Sequence, residues 1–274
     1  MKNVFTFLLL LFSLLCNGQS PKLFTTDKEL SSSLINQIYQ DRNGFIWIAT
    51  EDGLNRYDGA KFTIYKHEPN NEHSLAHNFV RTVFEDSKGH LLIGTYIGIQ
   101  MYDPATDNFT PLAKLEDTGE TLESNINSFI ERKNGEIWVS GNVLCKLDIK
   151  DHLLTVRKVD IAVTSPGSLF EDKKQNVWMA KGEEGVYQLT PDNQLTLHLS
   201  KDNGYVKSIC EDQRGNIYVG SIRKGLFIYD KERKTFVPVD LKEKGELPVC
   251  FLYSGIPNEL YIGTDGKGVA IYNI

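Results

Sequence analysis

The chain of 274 residues predicts an all-β fold made by repeating one four-stranded unit. Three observations carry that expectation. A short motif recurs at nearly constant intervals. Within each copy the apolar residues follow strand spacing, and no 3.6-residue period competes with it after the first twenty positions. Aromatic residues make up 11% of the chain, with 12 Tyr and 14 Phe, a usage that suits half-buried strands.

The N-terminus reads as an address, separate from the fold. Lys2 precedes an apolar run from Val4 to Leu15, broken only by Thr6 and Ser13. The run is short for a bilayer span and fits the apolar region of a secretory signal. Small and polar residues follow at Asn17 and Gly18, so residues 1–18 are expected to be removed after export, leaving 19–274 as one domain. A lipid-bearing Cys16 is the alternative; Leu14 and Leu15 before it argue against that. No later stretch approaches eighteen apolar residues, so the mature chain is expected in the periplasm without membrane insertion.

The repeat is anchored on a large residue at 47, 92, 138, 178, 218 and 261, at intervals of 45, 46, 40, 40 and 43. Each copy opens with two apolar residues three apart, as in Ile35/Ile38, Val80/Val83 and Val206/Ile209. An acidic turn follows, as in Asp41-Arg42-Asn43-Gly44 and Asp86-Ser87-Lys88-Gly89. There Asp can accept from backbone amides ahead of it, and Gly tolerates a positive φ. The second strand carries Trp, Leu or Tyr. The third runs from Gly53-Leu54 to Tyr57-Asp58, from Gly98-Ile99 to Tyr102-Asp103, and from Gly225-Leu226 to Tyr229-Asp230. A shorter fourth centres near Phe62, Phe109, Thr155, Leu195 and Phe236.

Four antiparallel strands per unit of this length predict a β-propeller of six four-stranded blades. Trp47, Trp138 and Trp178 are then expected in the core between blades, not as ligand platforms. The sixth copy stops at the end of its third strand. Lys22-Leu23-Phe24-Thr25 is expected to complete that blade by pairing with residues 268–273, closing the ring. The other reading is a seven-bladed ring truncated after its sixth blade.

The motif Asp-x-x-Gly-x-Ile-Trp-Ile-Ala-Thr-x-x-Gly-Leu-x-x-Tyr-Asp, over Asp41–Asp58, resembles the two-component regulator propeller repeat. Later copies depart from it: Arg132 and Gly255 replace Asp, and Gln175 replaces Gly. The resemblance implies the periplasmic sensor region of Bacteroidetes-type hybrid sensor kinases. It implies glycan-derived or related nutrient ligands, and a kinase that receives the signal. In that family seven blades per propeller are usual.

The remaining chemistry is mostly exclusion. The net charge is −6, which argues against a nucleic-acid surface. Cys145, Cys210 and Cys250 lack the spacing of a metal or redox site and read as small apolar residues. His67, His73 and His77 share a loop containing Pro69-Asn70-Asn71, which lacks a helical period, so no metal or other cofactor is expected. No nucleophile elbow, phosphate loop or kinase box is present. The streptogramin-lyase propellers have a related Gly-x-Ile-Trp strand and form the enzyme alternative; a reactive His or carboxylate cluster lining the channel mouth would favour it, and none of the six His, at 67, 73, 77, 90, 152 and 198, falls in an inner loop. A protein-docking propeller is the third class.

The turns after the first and third strands are uniform, whereas the opposite loops vary. The variable set comprises 66–79, 113–125, 159–166, 200–204 and 240–248, together with the inner loops between second and third strands. Variable loops on a rigid frame are where binding is expected. The residues selected there are Tyr96, Asn142, Arg223, Lys224 and Asp265, an aromatic with polar and charged groups suited to a sugar.

Overall fold

A computed structural model of the chain describes residues 23–27, 29–199, 204–241 and 247–274. The expected signal segment 1–18, with Cys16, lies outside the described residues, as do Lys22 and parts of loops 200–204 and 240–248.

Among the described residues the strands fall into six consecutive sheets, antiparallel except where one short strand joins the third. Blade 1 is β1 (Ile35–Gln40), β2 (Ile46–Thr50), β3 (Gly53–Tyr57) and β4 (Phe62–Tyr65). Blade 2 is β5 (Val80–Glu85), β6 (Leu91–Thr95), β7 (Ile99–Asp103) and β8 (Asn108–Phe109). A short β9 (Lys114–Leu115) then leaves blade 2 and pairs in parallel with the outer edge of blade 3. Blade 3 is β10 (Ser128–Glu131), β11 (Ile137–Ser140), β12 (Leu144–Lys150) and β13 (Leu153–Lys158). Blade 4 is β14 (Leu169–Glu171), β15 (Val177–Lys181), β16 (Gly185–Leu189) and β17 (Leu195–Leu199). Blade 5 is β18 (Val206–Glu211), β19 (Ile217–Ser221), β20 (Gly225–Asp230) and β21 (Thr235–Pro238). Blade 6 is β22 (Val249–Tyr253), β23 (Glu259–Thr264) and β24 (Val269–Asn273). The expected propeller, its strand order and the positions of its fourth strands are all present.

Closure by the N-terminus is not. Among the described residues, 23–25 form no strand and β24 pairs only with β23. The Phe24 ring instead sits 5.2 Å from Tyr57 and 5.0 Å from Phe62, on blade 1 itself. Ser31 N–H donates to Asn55 Oδ1 at 2.9 Å, holding the same segment over β3. The aromatic edge of its own blade captures Phe24, so the segment does not cross to blade 6.

The core is a set of seams between blades. Among the described residues there are five hydrophobic clusters, one at each successive interface from blades 1 and 2 to blades 5 and 6. Trp47, Trp138 and Trp178 fill three of them and are almost wholly buried, as expected. Cys145 and Cys210 are buried free thiols. Burial pushes Cys145 up to about 11 and Cys210 up to about 12, so both behave as apolar fillers. Cys250 is only half-buried, a partial departure from the expectation.

The turn Asp does more than cap its turn. Asp41 Oδ1 accepts from Asn43 N and Phe45 N, and its Oδ2 accepts from Trp47 Nε1 at 2.8 Å. Asp172 repeats this with Lys174 N, Asn176 N and Trp178 Nε1. The carboxylate thus ties the turn to the core aromatic and satisfies a buried indole N–H. The two copies lacking Asp carry a replacement two residues before the aromatic. Glu136 Oε2 accepts from Trp138 Nε1 at 3.0 Å, and Glu259 Oε2 accepts from Tyr261 Oη at 2.9 Å.

Candidate functional site

The two faces of the propeller have opposite polar economies. On the face bearing the Asp turns, backbone donors are taken up by the neighbouring blade. Arg42 N donates to Glu85 Oε2 at 2.8 Å, Ser87 N to Glu131 Oε2 at 2.7 Å, Lys133 N to Glu171 Oε2 at 2.7 Å and Lys173 N to Glu211 Oε2 at 3.0 Å. The longer side chains extend the chain of contacts. Lys133 Nζ donates to Lys173 O at 2.6 Å, and Lys173 Nζ to Gln213 O at 2.8 Å. A groove of about 510 Å³ on this face is lined by Arg42, Glu85 and Glu131, which already serve these contacts.

On the opposite face, hydroxyls at the ends of second strands hold the inner loops. Thr50 Oγ1 donates to Gly53 O at 2.8 Å, Thr95 Oγ1 to Gly98 O at 3.1 Å and Thr264 Oγ1 to Gly268 O at 2.6 Å. This clamp is why short loops can present side chains outward without collapsing. All five residues selected from sequence sit on these inner connections and are exposed: Tyr96, Asn142, Arg223, Lys224 and Asp265.

Their neighbourhoods differ. Tyr96 is 54% exposed, with its backbone N–H held by Phe79 O. Its ring lies 5.6 Å from His77 and 6.1 Å from Phe79, which makes a small aromatic group. Arg223 pairs with Glu183 at 2.9 Å, linking blades 4 and 5, and both side chains remain well exposed. Asn142 is fixed through its backbone, accepting from Ser165 N and donating to Ser124 Oγ. It borders a polar cavity of about 660 Å³ with Lys114, Glu120, Glu123 and Lys158. Asp265 is held by its backbone N–H to Pro248 O. Among the described residues, the structure therefore pairs Arg223 with Glu183 and Tyr96 with His77, and gathers none of the five into a single cavity.

Sequence reasoning missed His77 and Glu183. His77 lies on loop 66–79, outside any inner loop, and only the packing of that loop brings its ring beside Tyr96. Its Nδ1 accepts from Phe79 N at 2.9 Å. Among the described residues, no group of three or more His, Cys, Asp or Glu is placed to hold a metal ion. No helix of the described residues is long and apolar enough to cross a membrane.

The family profile of the two-component regulator propeller matches residues 29–52, 74–96 and 200–223. Those three segments are similar to the two-component regulator propeller repeat. A curated relative is Histidine kinase P4 of Formosa agariphila, 37% identical over 83 residues, covering 28% of this chain and 6% of that protein. Among solved structures, the extracellular domain of a hybrid two-component system from B. thetaiotaomicron matches with TM-score 0.74 and 17% identity, over 93% of this chain and 37% of that one. Virginiamycin B lyase from Staphylococcus aureus matches with TM-score 0.65 and 13% identity, over 93% of this chain and 88% of that one. The two structural likenesses establish a common propeller fold. The repeat-bearing chain spans well under half the length of the first two of these relatives.

Proposed function

We propose that this chain is a non-catalytic, ligand-sensing propeller of a periplasmic two-component signalling system, taking a glycan-derived ligand at the inner-loop face. The observation that carries the reading is the contrast between the faces. One spends its backbone donors on the next blade. The other presents the Tyr96 ring, the Arg223–Glu183 pair and the Asn142 rim, all exposed on clamped loops. An aromatic plane beside planar donors and carboxylates matches a ring with several hydroxyls. The repeat type and the fold shared with extracellular sensor domains support placing this face in the periplasm. A kinase, in the same polypeptide or as a partner, would receive the signal.

The test is calorimetric titration with a panel of oligosaccharides, using the parent protein and the variants Tyr96→Ala, Arg223→Ala and Lys88→Ala. The first two are expected to weaken binding about tenfold, the equivalent of one stacking or charged contact. Lys88→Ala, on the turn face, is expected to leave it unchanged. A glycan that binds all four proteins equally would overturn the site. A partner protein captured where no glycan binds would favour the docking module.

A further inference from the structure

Blades radiate from a centre, so neighbouring sheets part toward the rim and the outer end of a seam needs a filling besides the strands. At the seam between blades 2 and 3 two segments provide it. Loop 66–79 folds along the outer edge of blade 2, where Phe109 N donates to His73 O at 3.0 Å. The ribbon 114–121 crosses to blade 3 through β9, and Glu116 N donates to Val156 O at 3.0 Å. Between them remains a cavity of about 740 Å³, reaching from Ala76 and Ile97 to the start of β13 at Leu153. That volume lies in the range of sites for small organic ligands.

The outer hairpin of blade 3 builds one wall because it is longer than its counterparts. β12 and β13 stay paired as far as Lys150 and Leu153, three positions beyond Leu147. The outer hairpins of blades 1 and 4 end at Tyr57 and Leu189, which share the register position of Leu147 against the second strand. A two-residue turn closes the long hairpin, with Asp151 and His152 both left-handed at φ 48° and 64°. It sets Leu153, 67% exposed, at the cavity, with Pro111 and Leu112 among the residues across from it. The polar groups deeper in are already used. Gln100 Oε1 accepts from Ala76 N at 2.7 Å, and its Nε2 donates to Ser74 O at 3.0 Å and Thr110 O at 2.8 Å. Asn71 and Ser74 are engaged within loop 66–79. A guest therefore finds apolar walls that return few hydrogen bonds.

The ionisable groups are unequal in sign. Lys114, His67 and His152 line the cavity against one acid, Glu72. Glu72 is well exposed, with its carboxylate 4.0 Å from His73 Nε2. Asp103 lies within electrostatic reach of His152, but its carboxylate accepts from Ala105 N and Thr106 Oγ1, each at 2.9 Å. His67 Nδ1 donates to Leu75 O at 2.8 Å, which fixes the ring. Among the described residues the Lys114 ammonium makes no ion pair or hydrogen bond.

We propose that this cavity is a second binding site, for a small amphipathic carboxylate, with its apolar body between Leu112 and Leu153 and its carboxylate at Lys114. The walls favour burial of an apolar chain or ring, and the uncommitted ammonium selects the sign of the head group. An organic cation would meet Lys114 with like charge. A sugar would lose water from its hydroxyls against walls that offer little in return. None of Tyr96, Asn142, Arg223, Lys224 and Asp265 lines the cavity, so the inference is independent of the glycan reading.

The test is a titration of methyl-labelled protein with octanoate, octan-1-ol and octylammonium, read from the methyl resonances of Ile97, Leu112 and Leu153. Octanoate is expected to shift all three and to bind about tenfold tighter than octylammonium. Lys114→Glu should weaken octanoate by about tenfold and leave octan-1-ol within about twofold. Leu153→Asn should weaken both. Both positions are exposed, so neither change empties the core, and an unchanged thermal midpoint checks the fold. Tyr96→Ala should leave octanoate binding as it was, which separates failure of this site from failure of the inner-loop site. Octanoate that shifts none of these methyls, equal affinity for the three probes, or binding indifferent to Lys114→Glu overturns the proposal.

Discussion

Gln175 stands where most copies of the turn have Gly, and it keeps the left-handed conformation that Gly would adopt, with φ 67°. Such a conformation strains a residue with a Cβ, and Asn258 makes the same substitution in the sixth copy, at φ 61°. Gln175→Gly is expected to stabilise the protein by about 0.5–1 kcal/mol, the relief being partly offset by unfolded-state entropy. Urea denaturation reads it as a higher midpoint at unchanged slope. Glu136 provides a pH-dependent contact. Burial opposes its ionisation, but hydrogen bonds from Lys146, Trp138 and Asn134 outweigh that and bring it down to about 2. Because the folded value lies below the unfolded one, the contribution is present above about pH 4.5 and is lost as pH falls toward 2. After allowance for partial exposure it amounts to on the order of 1 kcal/mol. Stability of Glu136→Gln measured from pH 6 to pH 2.5 should lack that portion of the acid loss.

At the scale of the element, a blade is held less by its own hydrogen bonds than by its seams. Glu171 shows how. It ends the first strand of blade 4 and is largely buried, with Arg132 Nε at 2.8 Å and the Lys133 backbone N–H at 2.7 Å, both from blade 3. Removing the carboxylate takes the shortest acceptor from the half-buried Arg132 guanidinium, which keeps Gln175 O at 3.3 Å and Glu136 at 3.7 Å, and leaves the Lys133 amide without its acceptor. Glu171→Ala should cost about 2–3 kcal/mol, seen as a lower thermal midpoint. The companion change Lys174→Ala, on an exposed turn position whose side chain lies outside this contact, is expected to stay within about 0.5 kcal/mol. The Glu-Asp dipeptides at 85–86, 171–172 and 211–212 carry both devices side by side: the Glu reaches back to the preceding blade while the Asp holds its own turn.

For the whole molecule, the seams order stability along the ring. Among the described residues, blades 2 to 5 are packed on both faces, and blades 1 and 6 on one. Local opening should therefore be cheapest at the two ends. Native-state exchange of the 274-residue chain is expected to show β1 and β24 exchanging fastest among the strands, and β6, β11, β15 and β19 slowest. Equal protection across all six blades would contradict the seam picture.

Strands, their order and the buried Trp residues were legible in the chain because each is a local pattern. Alternation, turn chemistry and spacing recur six times, and repetition separates signal from accident. The function of the turn Asp was half legible: its backbone bonds follow from turn chemistry, whereas its bond to the indole needs the second strand folded back over the turn. The same holds for Glu136, whose role appears only once Arg132 is seen to have displaced the usual Asp. At the candidate site, loop membership identified Tyr96, Asn142, Arg223, Lys224 and Asp265 as exposed. It did not reveal that His77 would join Tyr96 or that Glu183 would meet Arg223. Closure was decided by tertiary packing alone. Lys22–Thr25 carries the pattern of an outer strand, but a strand pattern names no partner, and Phe24 found its aromatic neighbours on blade 1. Local periodicity sets what each segment is. Which face meets which is settled by the competition among apolar surfaces for burial, and that competition involves residues far apart in the chain.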